Sequence, residues 1–348
     1  MQINLMGQSS VDSPGVKHVK GLKDYYSNYF MMGAAVTPRS LITDEKDLIL
    51  QHFISITAEN AMKMGPIHPR ANEYYWKAAD SLVEFAERHN LKMRGHTLVW
   101  HNQAPKWLFT NATGDTVTKD ILLARLKDHI QTVVKRYKGK IYAWDVINEV
   151  ISDDKNEFYR NSPFYRIIGP EFIAKAFHWA HEADPNALLF YNDYNEINPV
   201  KRAKIFTLVK QLTAAGVPIH GVGLQGHWGI NEPNEAQLDS TLRQFGELGL
   251  KIQVTELDIS VHHARNRQVT DSISSFTQEQ EQLQVIMYER CFRLFRKYKD
   301  VISAVTFWNI SDRHSWLDNF PVRGRKDYPL LFDKNLKPKK AYWKVIQW

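Results

Sequence analysis

The 348-residue sequence predicts a single-domain α/β protein, a closed (β/α)8 barrel of the TIM type. Three observations support this: eight strand-like runs recur along the chain, amphipathic segments lie between them, and no glycine-rich phosphate turn follows the first run. Alternation of strands and helices over this length is typical of a parallel barrel with an outer ring of helices. A doubly wound open sheet is the alternative, and it would normally carry such a turn where this chain reads GAAVTPRS.

The eight predicted strands are short runs of apolar, β-branched and aromatic residues. They cover residues 30–36, 55–60, 91–100, 141–149, 187–195, 221–227, 251–258 and 304–310. Two intervening segments, residues 74–90 and 121–139, have the helical spacing of apolar residues, and the second has a basic end followed by Gly139.

The predicted domain organisation is simple. We expect a poorly ordered N-terminal extension over residues 1–18 and one barrel over residues 19–348. Neither a low-complexity linker nor a repeat of about 20 to 50 residues divides the sequence.

Composition argues against several classes of protein. Hydrophobic residues make up 43% of the chain and charged residues 24%, as in globular proteins. The sequence has no apolar window of about 18 residues that would predict a membrane span. The net charge is +7, but 45 basic residues interleave with 38 acidic ones, so we expect no nucleic-acid partner. The single cysteine, Cys291, predicts a buried structural thiol.

Location and assembly stay open at this stage. The start of the sequence lacks the charged and apolar regions of an export signal. We expect a cytoplasmic protein if the printed sequence is complete, or a secreted protein if a signal peptide has been removed. The sequence does not indicate an oligomeric state.

Polar and aromatic side chains close most of the predicted strands. They are Asn60, His96, Trp100, Glu149, Asp193, His227, Glu256 and Trp308. The carboxyl ends of parallel barrel strands share one rim, where such barrels keep their active sites, so we expect these residues to converge on one cleft. A buried carboxylate can also belong to a structural ion pair, but so many polar residues at one end are hard to assign to core packing.

The run VTELDIS, residues 254–260, carries two carboxylates inside a strand. Glu256 and Asp258 point to the same side because side chains alternate along a strand. The preceding strand ends with His227. A pair between His227 and Asp258 would keep the imidazole charged or oriented and would leave Glu256 as a free, ionised group. A structural ion pair is the alternative.

A further carboxylate, Glu149, ends the run WDVINE. Two acidic side chains in one polar, aromatic-lined cleft are what glycoside hydrolysis requires. One acts as general acid and later as base, while the other acts as nucleophile or activates water. These residues therefore favour a glycosidase.

Six ordered motifs resemble the glycoside hydrolases of family 10, the endo-β-1,4-xylanases with a (β/α)8 barrel. They are GHTLVWHNQAPKW (95–107), WDVINE (144–149), YNDYN (191–195), HGVGLQGHW (220–228), TELDIS (255–260) and TFWNISDRHSWLDNFP (306–321). The resemblance extends from about residue 20 to the end of the chain. It implies xylan or xylo-oligosaccharides as the substrate.

The resemblance also implies a role for each matching residue. Glu149 would be the acid/base and Glu256 the nucleophile that forms a covalent glycosyl-enzyme, so the anomeric configuration would be retained. The supporting residues would be Asn148, Gln225, His227 and Asp258. Of these, Asn148 would hydrogen-bond the sugar 2-OH, and the others would position and ionise the nucleophile.

A set of substrate-binding residues follows from the same resemblance. They are Glu59, Asn60, Lys63, His96, Trp100, Gln103, Trp308 and Trp316. Indole rings suit such a cleft because a pyranose can stack its C–H face on them. By contrast, we expect Trp76, Trp144 and Trp343 to pack in the core. The resemblance implies no metal or other cofactor.

Two stretches depart from the family pattern. Asn309 stands where family members often have glycine. The sequence GPIHPRANEYYW, residues 65–76, is an unusual version of the stretch that follows the motif ENAMK, residues 59–63. We expect the chemistry to survive both. They leave open the shape of the cleft margins and the preference for chain length or side groups.

Three other functions remain as alternatives. The nearest is a retaining β-1,4-glucanase or cellulase, which would differ in the room left for the C6 hydroxymethyl group of glucose. A barrel that binds polysaccharide without cutting it is more remote, because both glutamates are present. A metal-dependent hydrolase would use His96, His101, His227 and Asp258 as ligands, but strand alternation puts His96 and His101 on opposite faces.

Overall fold

The strands form one parallel sheet that closes on itself. The structure, a computed structural model, describes residues 19–262 and 275–348. The strands are β1 Met31–Val36, β2 Ser55–Ala58, β3 Lys92–Trp100, β4 Ile141–Asn148, β5 Leu188–Asp193, β6 Gly221–Leu224, β7 His227–Gly229, β8 Lys251–Ser260 and β9 Ile302–Phe307. Pairing of β6 with β8 closes an eight-stranded barrel, and the short β7 pairs only with the end of β8. The predicted fold class is therefore confirmed.

Helices between the strands cover the outside of the barrel. They are α1 Leu22–Tyr25, α2 Glu45–His52, α3 Met64–Ile67, α4 Lys77–Arg88, α5 Lys119–Arg136, α6 Pro163–Ile168, α7 Glu171–Ala183, α8 Pro199–Ala214, α9 Glu235–Gly246, α10 Gln278–Lys297 and α11 Lys340–Ile346. Several begin at side-chain caps: the Thr118 side chain accepts the N–H of Ile121 at the start of α5, and Thr277 forms a capping box with Gln280 at the start of α10. The N-terminal extension predicted for residues 1–18 lies outside the described residues, so that boundary stays a prediction.

The tryptophans expected in the core differ in burial. Trp144 on β4 is fully buried, and a Cβ on Gly95 would come within 2.1 Å of its ring, so the neighbouring position requires glycine. Trp76 is partly buried and stacks on Tyr74 with ring centroids 4.7 Å apart. These two side chains contribute to packing, as expected.

The prediction for Trp343 is wrong, because this residue is 48% exposed. The buried residues of α11 are Ala341, Tyr342 and Val345. They form one stripe along the helix, and at 3.6 residues per turn position 343 points away from it.

Cys291 lies on α10 and is fully buried, as expected for a structural thiol. Burial raises the pKa of its thiol well above the usual range. Across the two described ranges, no helix has the length and apolar character needed to cross a membrane.

The ends of the strands bring the predicted site residues to one rim. β4 ends at Asn148, directly before Glu149, and β9 ends directly before Trp308. The pairing of β7 with β8 sets His227 opposite Asp258. Because all strands run in the same direction, these positions share the carboxyl end of the barrel.

Candidate active site

The predicted catalytic glutamates are linked through a buried network of amides. Gln225 Nε2 donates to Glu149 Oε1 at 2.9 Å and to Asn148 Oδ1 at 3.3 Å. Asn192 Nδ2 donates to Asn148 Oδ1 at 2.9 Å and to Glu256 Oε1 at 2.8 Å. The structure therefore brings both glutamates, Asn148 and Gln225 into one cleft.

Glu256 lies on β8 and is surrounded by positive or donating groups. His227 Nε2 lies 3.2 Å from Glu256 Oε2, and His96 Nδ1 lies 4.0 Å from Glu256 Oε1. Burial alone would raise the pKa of this carboxyl, but His96, His227 and the Lys63 ammonium together outweigh burial and lower the pKa to about 2. Glu256 is therefore ionised at neutral pH.

His227 lies between two carboxylates. Its Nδ1 is 3.0 Å from Asp258 Oδ1, while its Nε2 faces Glu256. Burial opposes protonation, but the Asp258 and Glu256 carboxylates raise the pKa of the imidazole to about 10. The predicted pair of His227 with Asp258 is therefore present, and Glu256 is ionised as expected. The expectation that Glu256 stays free of His227 is wrong, because the ring also contacts the Glu256 carboxylate.

Glu149 has the opposite electrostatic environment. Its carboxylate accepts from Gln225 Nε2 and, at 2.8 Å, from Trp100 Nε1. Burial is the largest cause that raises its pKa, and the negative charges of Asp193 and Glu256 act in the same direction. These effects exceed the stabilisation of the carboxylate by the two donors. Glu149 therefore holds a proton to higher pH than an ordinary glutamate.

The backbone at Glu149 is held in an uncommon conformation. Its φ is +61°, in the left-handed region that few residues other than glycine adopt. Two backbone contacts fix it: Glu149 N donates to Asn192 O at 2.9 Å, and Arg160 Nε donates to Glu149 O at 2.9 Å. This arrangement turns the chain at the end of β4 and directs the carboxyl group into the cleft.

Asn192 is a site residue that the sequence reasoning missed. It bridges Asn148 and Glu256, and Thr255 Oγ1 in turn donates to Asn192 Oδ1 at 2.7 Å. This last contact fixes the amide so that its nitrogen faces the two site residues. The signal that could have identified Asn192 as a site residue was its position in the motif YNDYN at the end of β5.

A buried ion pair inside the barrel was also missed. The Arg94 guanidinium donates to both oxygens of Asp145 and, through Nε, to Gln253 Oε1 at 2.8 Å. Asp145 Oδ2 lies 2.9 Å from His96 Nδ1. The pair therefore holds the His96 ring beside Glu256. The signal in the sequence was one basic and one acidic residue, Arg94 and Asp145, inside two predicted strands that follow each other along the chain.

Most of the predicted substrate-binding residues line one side of the cleft. The Lys63 ammonium donates to Asn60 Oδ1 at 2.9 Å and lies 4.8 Å from the ring of Trp100 and 5.8 Å from that of Trp308. Asn60 Nδ2 in turn donates to Glu59 Oε1 at 3.2 Å. Together these residues form a wall of amide, carboxylate, ammonium and indole groups.

The remaining predicted residues lie at the margins of this wall. Trp316 is half-buried, its indole N–H donates to Asp258 Oδ2 at 2.8 Å, and its ring stacks on that of Phe320. The ring of Trp308 lies 5.2 Å from that of His96. Gln103 is exposed, and its carbonyl oxygen leaves no room for a side chain at Gly65.

The metal-hydrolase alternative has no suitable ligand set in the described part of the chain. Within residues 19–262 and 275–348, no group of three or more His, Cys, Asp and Glu side chains has the arrangement needed to hold a metal ion. His96, His227 and Asp258 are instead engaged in ion pairs with other side chains of the chain.

Comparison with known proteins extends these findings. The chain is 49% identical over 329 residues to a "Beta-1,4-xylanase" of Dictyoglomus thermophilum, covering 94% of this chain and 91% of the relative. It is 48% identical to "Endo-1,4-beta-xylanase B" of Paenibacillus barcinonensis, covering 94% of this chain and 98% of the relative.

Solved structures agree with this comparison. A crystal structure of a xylanase from Paenibacillus barcinonensis in complex with a conduramine derivative has a TM-score of 0.92 and 48% identity, covering 95% of this chain and 99% of the other. A mutant structure in complex with xylotriose has a TM-score of 0.92 and 44% identity, covering 95% of this chain and all of the other. The family model "Glycosyl hydrolase family 10" matches residues 21–348. The chain therefore belongs to glycosyl hydrolase family 10, which confirms the predicted family and enzyme class.

Proposed function

We propose that this chain is an endo-1,4-β-xylanase that cleaves internal bonds of xylan or xylo-oligosaccharides with retention, using Glu149 as acid/base and Glu256 as nucleophile. The observation that supports these roles is the opposite environment of the two carboxyls. Glu149, whose pKa is raised, keeps its proton to higher pH than an ordinary glutamate, whereas Glu256, whose pKa is lowered to about 2, carries a negative charge.

The first step separates the two roles. Glu149 donates its proton to the glycosidic oxygen of the leaving group, and the Glu256 carboxylate attacks the anomeric carbon. The C–O bond to the leaving group breaks as the ester to Glu256 forms. The Asn148 amide would hydrogen-bond the sugar 2-OH, and this hydrogen bond would strengthen as positive charge develops on the ring.

The second step reverses the role of Glu149. Formation of the ester removes the negative charge of Glu256, which is one of the causes that raise the pKa of Glu149. The pKa of Glu149 then falls, so the group is ionised and can take a proton from the attacking water. Water adds to the anomeric carbon, the ester breaks, and the product keeps the β configuration.

Substrate preference rests on the wall beside the nucleophile and on the relatives. The similar proteins are named as xylanases, and one similar structure contains xylotriose. In this chain Trp308 and Trp316 would cover the apolar faces of a xylose unit, while Asn60 and Lys63 offer polar groups to its hydroxyls. A glucose unit adds a C6 hydroxymethyl group, and a misfit of this size costs about 1 to 3 kcal/mol.

The two other sugar-related alternatives are less well supported. A non-catalytic polysaccharide-binding barrel would not need an acid and a nucleophile with opposite pKa shifts. A retaining glucanase or cellulase would share the chemistry of Glu149 and Glu256. It differs in substrate, so a direct comparison of substrates separates it from a xylanase.

The test is hydrolysis of xylohexaose and cellohexaose by the parent enzyme, Glu149→Ala, Glu256→Ala and Glu247→Ala. Glu247 is an exposed carboxylate paired with Arg243 and serves as the matched control. We expect kcat/KM to favour xylohexaose by about 10- to 200-fold. We expect kcat/KM to fall about 100-fold or more in Glu149→Ala and Glu256→Ala. We expect it to stay unchanged in the control, Glu247→Ala. Equal cleavage of both hexamers would support the glucanase, and binding without cleavage by the parent enzyme would support the non-catalytic barrel.

Other aspects of the function stay predictions. The expectation that the chain has no nucleic-acid partner rests on the interleaving of its basic and acidic residues.

A further inference from the structure

Asn309 occupies a backbone conformation that favours glycine. It follows Trp308 directly at the end of β9, its φ is +132°, and it is only 6% exposed. A side chain at such a φ is strained, so other interactions must offset the cost.

The side chain of Asn309 makes two hydrogen bonds that a glycine would lack. Its Nδ2 donates to the carbonyl oxygen of His314 at 2.8 Å, and its Oδ1 accepts the N–H of Ile310 at 2.8 Å. The amide therefore joins the start of the loop to a point five residues later. The contact with Ile310 is buried and the contact with His314 is partly buried. A hydrogen bond shielded from water is electrostatically stronger than an exposed one.

This loop connects two walls of the cleft. At its start, Trp308 N donates to Leu257 O at 3.0 Å, next to the nucleophile Glu256. At its end, two residues beyond His314, the Trp316 indole donates to Asp258 Oδ2. The middle of the loop is held by Ser311, whose hydroxyl donates to Glu45 Oε1 at 3.3 Å, and by Asp312, whose N–H donates to Phe332 O at 2.9 Å. The Asn309 amide adds a contact at His314, two residues before Trp316.

We propose that Asn309 is a positioning residue that fastens the loop from Ile310 to Trp316 and so sets the placement of the Trp316 indole against the sugar. This inference rests on the proposed xylanase function of the cleft. The asparagine adopts a backbone conformation suited to glycine, and in return the loop that carries Trp316 gains a contact at His314, in addition to those at Ser311, Asp312 and Asp258.

The experiment compares Asn309→Gly and Asn309→Asp with the parent enzyme. Glycine relieves the backbone and removes both hydrogen bonds. Aspartate keeps the acceptor for the Ile310 N–H but loses the donor to the His314 carbonyl. Asn72→Gly is the matched control, since Asn72 also has a positive φ, +65°, but is exposed on the loop before α4. The readouts are kcat and KM for xylohexaose, the thermal midpoint, and hydrogen exchange of the amides of residues 310–317.

We expect KM to rise about 3- to 10-fold in both Asn309 variants, with a smaller change in kcat, because the loss of one or two hydrogen bonds loosens the indole that contacts the sugar. We expect faster exchange of the 310–317 amides in both variants and no change in the control. The thermal midpoint of Asn309→Gly should equal or exceed that of the parent. Unchanged KM with unchanged exchange would overturn the proposal, and so would a lower midpoint with unchanged KM, which indicates a purely structural role. Hydrogen exchange needs no substrate, so it tests the fastening even if the parent enzyme does not cut xylohexaose.

Discussion

The indole nitrogen of Trp100 donates a 2.8 Å hydrogen bond to the carboxylate of Glu149. This bond stabilises the ionised form of a carboxyl group whose surroundings otherwise favour the protonated form. Trp100 therefore contributes both a wall of the cleft and a limit on how far the pKa of the acid rises. The ring and the N–H group can be tested separately.

Replacement of Trp100 by phenylalanine keeps an aromatic ring but removes the donor. We expect the pKa of Glu149 to rise further, because its carboxylate loses a stabilising hydrogen bond. The acid then stays protonated to higher pH, so the alkaline limb of the profile of kcat/KM against pH moves to higher pH. At the optimum we expect a loss of about 2- to 10-fold. An alkaline limb that stays in place or moves to lower pH would contradict the role of this hydrogen bond.

Replacement of His227 by asparagine removes the positive charge beside the nucleophile. The pKa of Glu256 then rises from about 2 towards its ordinary value, so the acidic limb of the pH profile moves to higher pH. Hydrogen bonds to charged groups contribute about 1.5 to 3 kcal/mol, so we expect kcat to fall about 10- to 100-fold. His178→Asn, at an exposed position on α7, is the control. An acidic limb identical to that of the parent would show that His227 does not ionise the nucleophile.

The buried ion pair between Arg94 and Asp145 predicts a large effect on stability. Asp145→Asn leaves the guanidinium without its charge partner, and such a loss costs about 3 to 5 kcal/mol. The double variant Arg94→Met with Asp145→Leu removes both charges and should lose less stability than the single variant. Both are measured by denaturant unfolding. A single variant as stable as the parent would contradict this account.

A pair of buried histidines predicts that the protein loses stability in acid. His68 Nδ1 and His129 Nδ1 lie 3.1 Å apart in the core. Burial lowers the pKa of His68 to about 4 and, together with the neighbouring His68, lowers that of His129 to about 3. Between these values and the ordinary 6.5, the unfolded chain binds more protons than the native one. Stability from this pair is therefore complete above pH 6.5 and is lost as the pH falls towards 4.

The measurement is the thermal midpoint at pH 7 and at pH 5 for the parent and for the double variant His68→Gln with His129→Gln. Glutamine cannot be protonated, so we expect the drop in midpoint between the two pH values to be smaller in the variant. The exposed His178→Gln serves as the control. Equal drops in the parent and the double variant would exclude the pair as a source of acid sensitivity.

Much of this arrangement could be predicted from local patterns. Strand ends marked by polar residues indicated the rim, and the alternation of side chains set Glu256 and Asp258 on one side of β8. Membership in the family is confirmed. The bridging position of His227 could not be predicted, because it depends on where β7 pairs with β8 after the turn at Gly226, and a sequence does not show that register.

Other features depend on distant partners. The ion pair between Arg94 and Asp145 joins two neighbouring strands through residues that are 51 positions apart in sequence. The hydrogen bond from Asn192 to Glu256 joins residues that are 64 positions apart. The exposure of Trp343 depends on how α11 sits on the barrel. In each case the residue type was visible in the sequence, but its contacts or its exposure depend on the folded chain.

The most direct test of the central claim is azide rescue with 2,4-dinitrophenyl β-xylobioside, whose leaving group needs no acid. In Glu149→Ala, azide should intercept the glycosyl-enzyme and give the β-glycosyl azide. In Glu256→Ala, azide should take the place of the nucleophile and give the α-glycosyl azide by a single inversion. NMR spectroscopy of the products distinguishes the two anomers. The same anomer from both variants, or the two anomers exchanged, would contradict the roles proposed for Glu149 and Glu256.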